Sequence, residues 1–154
     1  MEKHDEAREL DAILERLRAS TGAGRCTLRI DDEARGWSVQ LICAEATRPG
    51  VKSLRGEGGI NQRASPTVKW MEAHRRNLLQ DDLLHDPDPC PPAALMSAYA
   101  AKAQMLSPLF DGKDALAGWI SAHFTDAPRR ISATDEAALD QARREVLALL
   151  RLDA

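Results

Sequence analysis

The sequence predicts an α+β fold in which a central antiparallel sheet carries one helix from each end of the chain on the same face. Amphipathic helical patterns lie at both ends of the 154 residues, and segments that alternate as strands do lie between them. The middle of the chain is irregular and rich in glycine and proline, which predicts loops and short helices on the opposite face. This length is sufficient for a single domain over residues 1–154 with a buried core.

The N-terminal third predicts a helix followed by a hairpin. Residues 6–20 carry apolar side chains at the i, i+3, i+4, i+7 spacing of an amphipathic helix, and a Thr-Gly-Ala-Gly run ends it. Residues 26–31 alternate between apolar and polar side chains, which indicates a strand. A turn at 32–36 then leads into a predicted returning strand over 37–46.

The middle of the chain predicts the irregular layer. Residues 47–64 form a glycine-rich loop, and such loops are usually functional or mobile. The Ser-Pro pair at 65–66 begins a helix that runs to about residue 75. A short edge strand at 77–80 and a proline-rich loop at 85–92 follow, and residues 92–102 predict a second small helix.

The last third predicts two strands and the final helix. An Asp-Gly-Lys-Asp turn joins strands over 104–110 and 115–124. Gly118, inside the second strand, predicts that another backbone or side chain comes close to it. Ser132 stands three residues before Asp135, which is the spacing of a capping box at the start of a helix over 134–152.

The order of these motifs resembles the C-terminal half of a GAF domain. The matching residues are Ser107-Pro108-Leu109, Asp111-Gly112, Gly118, Pro128-Arg129 and the run from Ser132 to Asp135. The rest of the chain agrees, so the resemblance covers roughly residues 8–152. It implies a GAF/PAS-like sheet, a ligand held between the sheet and the irregular layer, and strands 26–31 and 115–124 as neighbours.

Strand alternation assigns polar side chains to the face away from the helices. Arg29 falls on that face of the first strand, and Trp119, Ser121 and His123 fall on it in the last strand. With these strands adjacent, Arg29, Ser121 and His123 form a pocket floor and Trp119 forms an apolar wall. An arginine fork beside a hydroxyl and an imidazole suits a carboxylate. The alternative is that Arg29 and His123 lie near a solvated end of the sheet.

Two further candidates belong to the irregular layer. Arg63 borders the glycine-rich loop and is a candidate donor to a ligand, with ordinary loop polarity as the alternative. Tyr99 lies on the apolar side of its predicted helix, where a core role with a satisfied hydroxyl is compatible with ligand contact. The predicted ligand-binding residues are therefore Arg29, Arg63, Tyr99, Trp119, Ser121 and His123.

The leading functional interpretation is a small-molecule sensor or accessory subunit that binds a compact metabolite, with a carboxylate as one candidate class, and acts on a separate output protein. No paired nucleophile and base is evident, so no catalytic residue is assigned. The alternative is an enzyme that uses the same pocket, with His123 as acid and base or Cys90 as nucleophile, as in the free methionine-R-sulfoxide reductases of this fold. A pure interaction module with a collapsed pocket is the third interpretation.

Composition argues against several other functions. A net charge of −3 gives no steering field for nucleic acid, and no apolar run approaches the length of a membrane span. The charged N-terminus is unlike a signal peptide, so we expect a cytoplasmic protein. Three scattered cysteines and four scattered histidines show no metal-ligand spacing. The GAF cyclic-nucleotide signature and the Cys-His pair of a covalent bilin site are absent, and no cofactor is expected.

The terminal helices predict a homodimer. Leu147 and Leu152 extend the apolar surface of the final helix beyond what one sheet face covers, and a two-fold interface would bury it. Aliphatic stems of neighbouring arginines are the alternative covering. Sedimentation at micromolar concentration tests this prediction, because a species near 16.9 kDa that does not change on dilution would exclude the dimer.

Overall fold

The computed structural model describes residues 3–154 and confirms the predicted α+β fold. Its five strands form one antiparallel sheet with the order β2-β1-β5-β4-β3. The elements are α1 (Lys3–Thr21), β1 (Arg25–Ile30), β2 (Ala44–Thr47), a 3-10 turn (Gln62–Ala64), α2 (Pro66–His74), β3 (Leu78–Gln80), α3 (Ala93–Ser97), β4 (Ala103–Phe110), β5 (Leu116–Phe124) and α4 (Ala133–Leu150).

The main core lies between the sheet and the two terminal helices. Leu10 and Leu14 of α1, together with Leu139 of α4, are fully buried against Leu28 of β1 and Ile120 of β5. The predicted assignment of alternate strand residues to this face is thereby confirmed. A smaller apolar cluster lies on the other face of the sheet, where α2 packs on β3 and β4.

The predicted start of the final helix is also confirmed. The Ser132 hydroxyl accepts a hydrogen bond from the Asp135 backbone N–H, and the Asp135 carboxylate accepts one from the Ser132 backbone N–H. These reciprocal bonds satisfy N–H groups that have no partner within the helix. Helix α4 therefore begins with a complete N-terminal capping box.

Two predicted elements are shorter than the sequence indicates. The strand predicted over 37–46 is wrong for its first part, since only Ala44–Thr47 pairs with β1. The Asp31 carboxylate accepts a hydrogen bond from the Val39 backbone N–H at 2.7 Å, which ties this segment to a side chain instead of a ladder. The helix predicted over 92–102 is limited to Ala93–Ser97, so Tyr99 lies beyond its end.

The apolar patch that prompted the dimer prediction is largely covered. Leu147 and Leu152 are partly buried against the main core. Within residues 3–154, the large apolar side chains that are exposed are Leu41, Leu79 and Leu84, all outside the terminal helices. The homodimer stays a prediction, although Leu147 and Leu152, from which it was argued, are partly buried within one chain.

The pairing of β1 with β5 depends on the absence of a side chain at Gly118. A Cβ atom built there would lie 2.0 Å from the Arg29 carbonyl oxygen, which confirms the close approach that the sequence predicts. Because the obstructing atom is backbone, the strands must separate to admit a methyl group.

We expect Gly118→Ala to lower the free energy of unfolding by about 3 kcal/mol or more, measured by urea denaturation. Gly58→Ala is the matched control, since a Cβ atom there meets only the flexible end of Leu41 at 3.3 Å. Equal stability of the two variants would show that β1 and β5 adjust freely, contrary to this account.

Candidate functional site

A cavity of about 60 Å³ lies on the face of the sheet away from α1 and α4. Its floor consists of Thr27, Arg29, Gln104, Leu106, Trp119, Ser121 and His123. Residues 52–68 and 92–99, which we call the cover, close it from above with Leu54, Ile60, Gln62, Thr67, Val68, Pro92, Leu95 and Tyr99. Ile60 and Tyr99 are only half-buried, so the cavity reaches the surface between the two segments of the cover.

The structure brings most of the predicted site residues to this cavity. Arg29, Trp119, Ser121 and His123 lie on its floor, and Tyr99 lies in its cover. The pairing of β1 with β5 sets Arg29 opposite Trp119, as the resemblance implies for adjacent strands.

Arg63 is the predicted residue that the structure places elsewhere. Its guanidinium lies 2.6 Å from the Asp31 carboxylate and donates to the Leu116 carbonyl oxygen at 2.8 Å. Asp31 directly follows β1 and Leu116 begins β5, so Arg63 is held at one end of the sheet. It does not line the cavity.

Arg29 is a buried cation that faces the cavity. Its residue surface is 8% exposed, and one Nη donates to the Val39 carbonyl oxygen at 2.9 Å. Among the described residues, no carboxylate lies within 4.0 Å of the guanidinium, and no other protein acceptor bonds its remaining N–H groups. Burial lowers the pKa of Arg29, but an arginine remains charged in proteins.

Arg25, which sequence reasoning missed, joins the sheet to the cover. Its fully buried guanidinium donates from Nε to His123 Nδ1 at 3.0 Å. The two Nη atoms donate to the carbonyl oxygens of Lys52 at 2.9 Å and Tyr99 at 3.1 Å, one in each segment of the cover. Strand alternation extended back by one residue would have placed Arg25 on the same face as Arg29.

His123 is held as a neutral hydrogen-bond donor. Because Nδ1 accepts from Arg25, the neutral imidazole carries its proton on Nε2. Burial, followed by the positive charges of Arg25 and Arg29, lowers the pKa of His123 well below its ordinary value. At neutral pH the imidazole is therefore uncharged, and Nε2–H has no protein acceptor among the described residues.

Gln104 is a floor residue that sequence reasoning missed. It is 1% exposed, and its Nε2 donates to Gln80 Oε1 at 2.7 Å. Gln80 in turn donates from Nε2 to the Pro89 carbonyl oxygen at 2.8 Å. Gln104 Oε1 is left buried without a hydrogen-bond partner among the described residues. A glutamine in an otherwise largely apolar strand was the available signal.

None of the cysteines in residues 3–154 lines the cavity. Cys90 is exposed in the loop before α3, and its thiol lies 3.4 Å from the Pro91 carbonyl oxygen. Cys26 and Cys43 belong to the helix side of the sheet, where burial raises the pKa of both thiols, to about 12 for Cys43. The thiol pair that a reductase mechanism needs is not assembled at this site.

Residues 3–154 contain neither a cluster of metal-ligating side chains nor a membrane-spanning helix. The His, Cys, Asp and Glu side chains in this range form no group of three or more that could hold a metal ion. In the same range, no helix combines the length and the apolar character needed to cross a bilayer.

A central antiparallel sheet with the terminal helices on one face and a covered cavity on the other defines the α+β architecture of this domain. The GAF domain family model matches residues 5–150, and the chain belongs to that family. No curated protein matches it in sequence.

Solved structures share the fold at low sequence identity. The blue-light absorbing form of the Thermosynechococcus elongatus PixJ GAF domain has a TM-score of 0.70 and 18% identity, covering 97% of this chain and 86% of that one. A far-red cyanobacteriochrome photoreceptor has a TM-score of 0.76 and 11% identity, with coverages of 97% and 88%. The phycocyanobilin-bound GAF domain of a cyanobacterial phytochrome has a TM-score of 0.69 and 14% identity, with coverages of 99% and 96%.

The buried neutral state of His123 predicts a stability that depends on pH. The folded state resists protonation, whereas the unfolded histidine binds a proton near pH 6.5, so stability is lost as pH falls from about 6.5 towards 5. We expect the free energy of unfolding to decrease by up to about 1.4 kcal/mol per pH unit in that window.

His123→Asn isolates this contribution, because Asn Oδ1 can replace Nδ1 as the acceptor for Arg25. Urea denaturation across the window is expected to show a shallower slope for this variant. His4→Asn, an exposed change on α1, is expected to keep the wild-type slope. Identical slopes for wild type and His123→Asn would contradict the assigned protonation state.

Proposed function

We propose that this GAF domain is a cytoplasmic sensor or accessory subunit that binds a compact anionic metabolite, with a carboxylate as the favoured class. The observation that carries the proposal is the buried guanidinium of Arg29, which faces the cavity and has no carboxylate within 4.0 Å among the described residues. An uncompensated buried charge is costly, so a site that keeps one gains most from an anion.

The surroundings of Arg29 also favour an anion. Arg25 adds a second buried positive charge on the same strand. The hydroxyl groups of Thr27 and Ser121 lie on the same floor and can donate to ligand oxygens. A carboxylate accepts two parallel N–H bonds from an arginine, which neither a neutral ligand nor a cation can match.

The size of the cavity supports a compact ligand. Its volume of about 60 Å³ is well below the roughly 300–1,000 Å³ of sites that hold drug-sized molecules. One structural neighbour is a phycocyanobilin-bound GAF domain, whereas the cavity of this chain has room only for a compact ligand. Cys90, the exposed thiol, also lies outside the lining. The proposal therefore does not extend to a bilin.

The proposed signal is a shift in how firmly the cover is held on the sheet. A ligand that contacts both layers stabilises the closed arrangement by its difference in affinity between the two states. One face of β5 carries the residues that face the ligand, and Ile120 on its other face packs in the main core. We propose that α1 and α4 transmit the change, either across a homodimer or to a separate output protein.

Arg29→Gln tests the proposal by its effect on ligand binding. Propanoate is expected to raise the melting temperature of the wild type in a concentration-dependent way. The variant is expected to bind propanoate at least tenfold more weakly, because the charge-assisted hydrogen bonds are lost. Its own stability is expected to change by about 1 kcal/mol or less, since the removed cation has no buried carboxylate as partner.

Arg63→Gln is the matched control, since it removes an arginine that lies outside the cavity. It is expected to keep the wild-type response to propanoate. An Arg29→Gln variant that unfolds without any ligand effect would make Arg29 a structural residue. Absence of stabilisation by any small carboxylate in the wild type would overturn the proposal.

A further inference from the structure

The orientation of the Gln104 amide is fixed by a chain of hydrogen bonds. The Pro89 carbonyl oxygen can only accept, so it takes the Nε2 group of Gln80. Gln80 Oε1 must then accept from Gln104 Nε2, which leaves Gln104 Oε1 free. This oxygen is a buried acceptor that no donor within residues 3–154 reaches, on a residue that lines the cavity and is 1% exposed.

A matching donor stands on the neighbouring strand. Gln104 of β4 and His123 of β5 are Cα partners in the antiparallel pair, so their backbones lie about 5 Å apart. Both side chains line the cavity. The bond from Arg25 to Nδ1 leaves the His123 proton on Nε2. The floor thus presents one acceptor and one donor side by side.

The chemistry of this pair selects among ligand groups. A carboxylate has only acceptors, so it cannot satisfy Gln104 Oε1. An ammonium group has only donors and would lie among the positive charges of Arg25 and Arg29. A carboxamide offers a neutral N–H donor and a carbonyl acceptor on adjacent atoms, which complements both Gln104 and His123.

We propose that Gln104 and His123 form a second polar subsite, which binds a neutral carboxamide group of the same ligand. This inference rests on the proposed function, since the carboxylate of that ligand binds Arg29. Arg29 and Gln104 face Trp119 and His123, which are four residues apart on β5. Their Cα atoms are therefore separated by more than about 10 Å, and a short chain should separate the two ligand groups.

The chain of hydrogen bonds from Pro89 through Gln80 to Gln104, which we call the Gln104 relay, makes the subsite selective. An isolated glutamine can turn its amide to suit either a donor or an acceptor. Gln80 holds Gln104 in one orientation, so an acceptor brought to Oε1 is repelled and a buried group stays unsatisfied. Sites built in this way reject analogues that lack the required hydrogen-bonding group.

Succinamate and levulinate provide the direct test. Both carry a carboxylate at the same distance from a carbonyl group, and they differ in an NH₂ group in place of a methyl group. Isothermal titration of the full chain is expected to show succinamate binding about tenfold more tightly than levulinate, the effect of one satisfied buried acceptor. Propanamide, which has the amide without the carboxylate, is the third probe.

The outcomes separate this inference from the proposed function. Equal affinities for succinamate and levulinate would overturn the subsite and leave the anion site standing. Binding of propanamide with no binding of either acid would support the subsite and overturn the anion site. Failure of all three probes to bind would overturn both.

Gln104→Met is expected to reduce the ratio of the two affinities to about one. Since it leaves Gln80 Oε1 buried without a donor, the double variant Gln80→Met with Gln104→Met serves if the single one does not fold. Gln141→Met, an exposed change on α4, is the control and is expected to keep the tenfold ratio. A ratio unaffected by loss of the Gln104 amide would assign the preference to another residue and overturn the subsite.

Discussion

The pairing of β1 with β5 is the contact on which both the core and the cavity depend. Its register sets Arg25 opposite His123, Thr27 opposite Ser121 and Arg29 opposite Trp119. The residues between these face the terminal helices and build the main core. A slip by one residue would move the arginines into the apolar core, at a high cost for buried charge. Burial of the core therefore also fixes the geometry of the site.

Burying two arginines on one strand costs a domain of this size a large desolvation free energy. Arg25 meets most of its hydrogen-bonding capacity with two carbonyl oxygens and one imidazole nitrogen, whereas Arg29 has a single carbonyl partner in the described part of the chain. Neither has a carboxylate within 4.0 Å among the described residues. Local departures from the rules of stable packing are expected at functional sites. The three hydrogen bonds of Arg25 fit a structural role. Arg29, with one such bond, keeps N–H groups that are available to a ligand.

Strand alternation, together with the strand adjacency that the family resemblance implies, predicted part of the floor of the cavity. It assigned Arg29, Ser121 and His123 to one face because a period of two fixes direction once a strand is recognised. Arg25 was missed because the predicted strand began one residue too late. The importance of Gln104 depends on Gln80 and Pro89, whose positions follow from tertiary contacts. Arg63 and the segment before β2 are both held by Asp31, a side-chain interaction that periodicity cannot reveal.

Polar contacts that surround the cavity link the cover and the loop before α3 to the sheet. Arg25 bonds carbonyl oxygens in both segments of the cover, and the Gln104 relay reaches the loop that leads into α3. His123 and Gln104 each have one polar atom in this network and another that is available to a ligand. Under the proposed function, a bound molecule would extend the same network instead of starting a separate one. Ligand binding would then change the stability of the cover first, because the ligand would add contacts between that layer and the sheet.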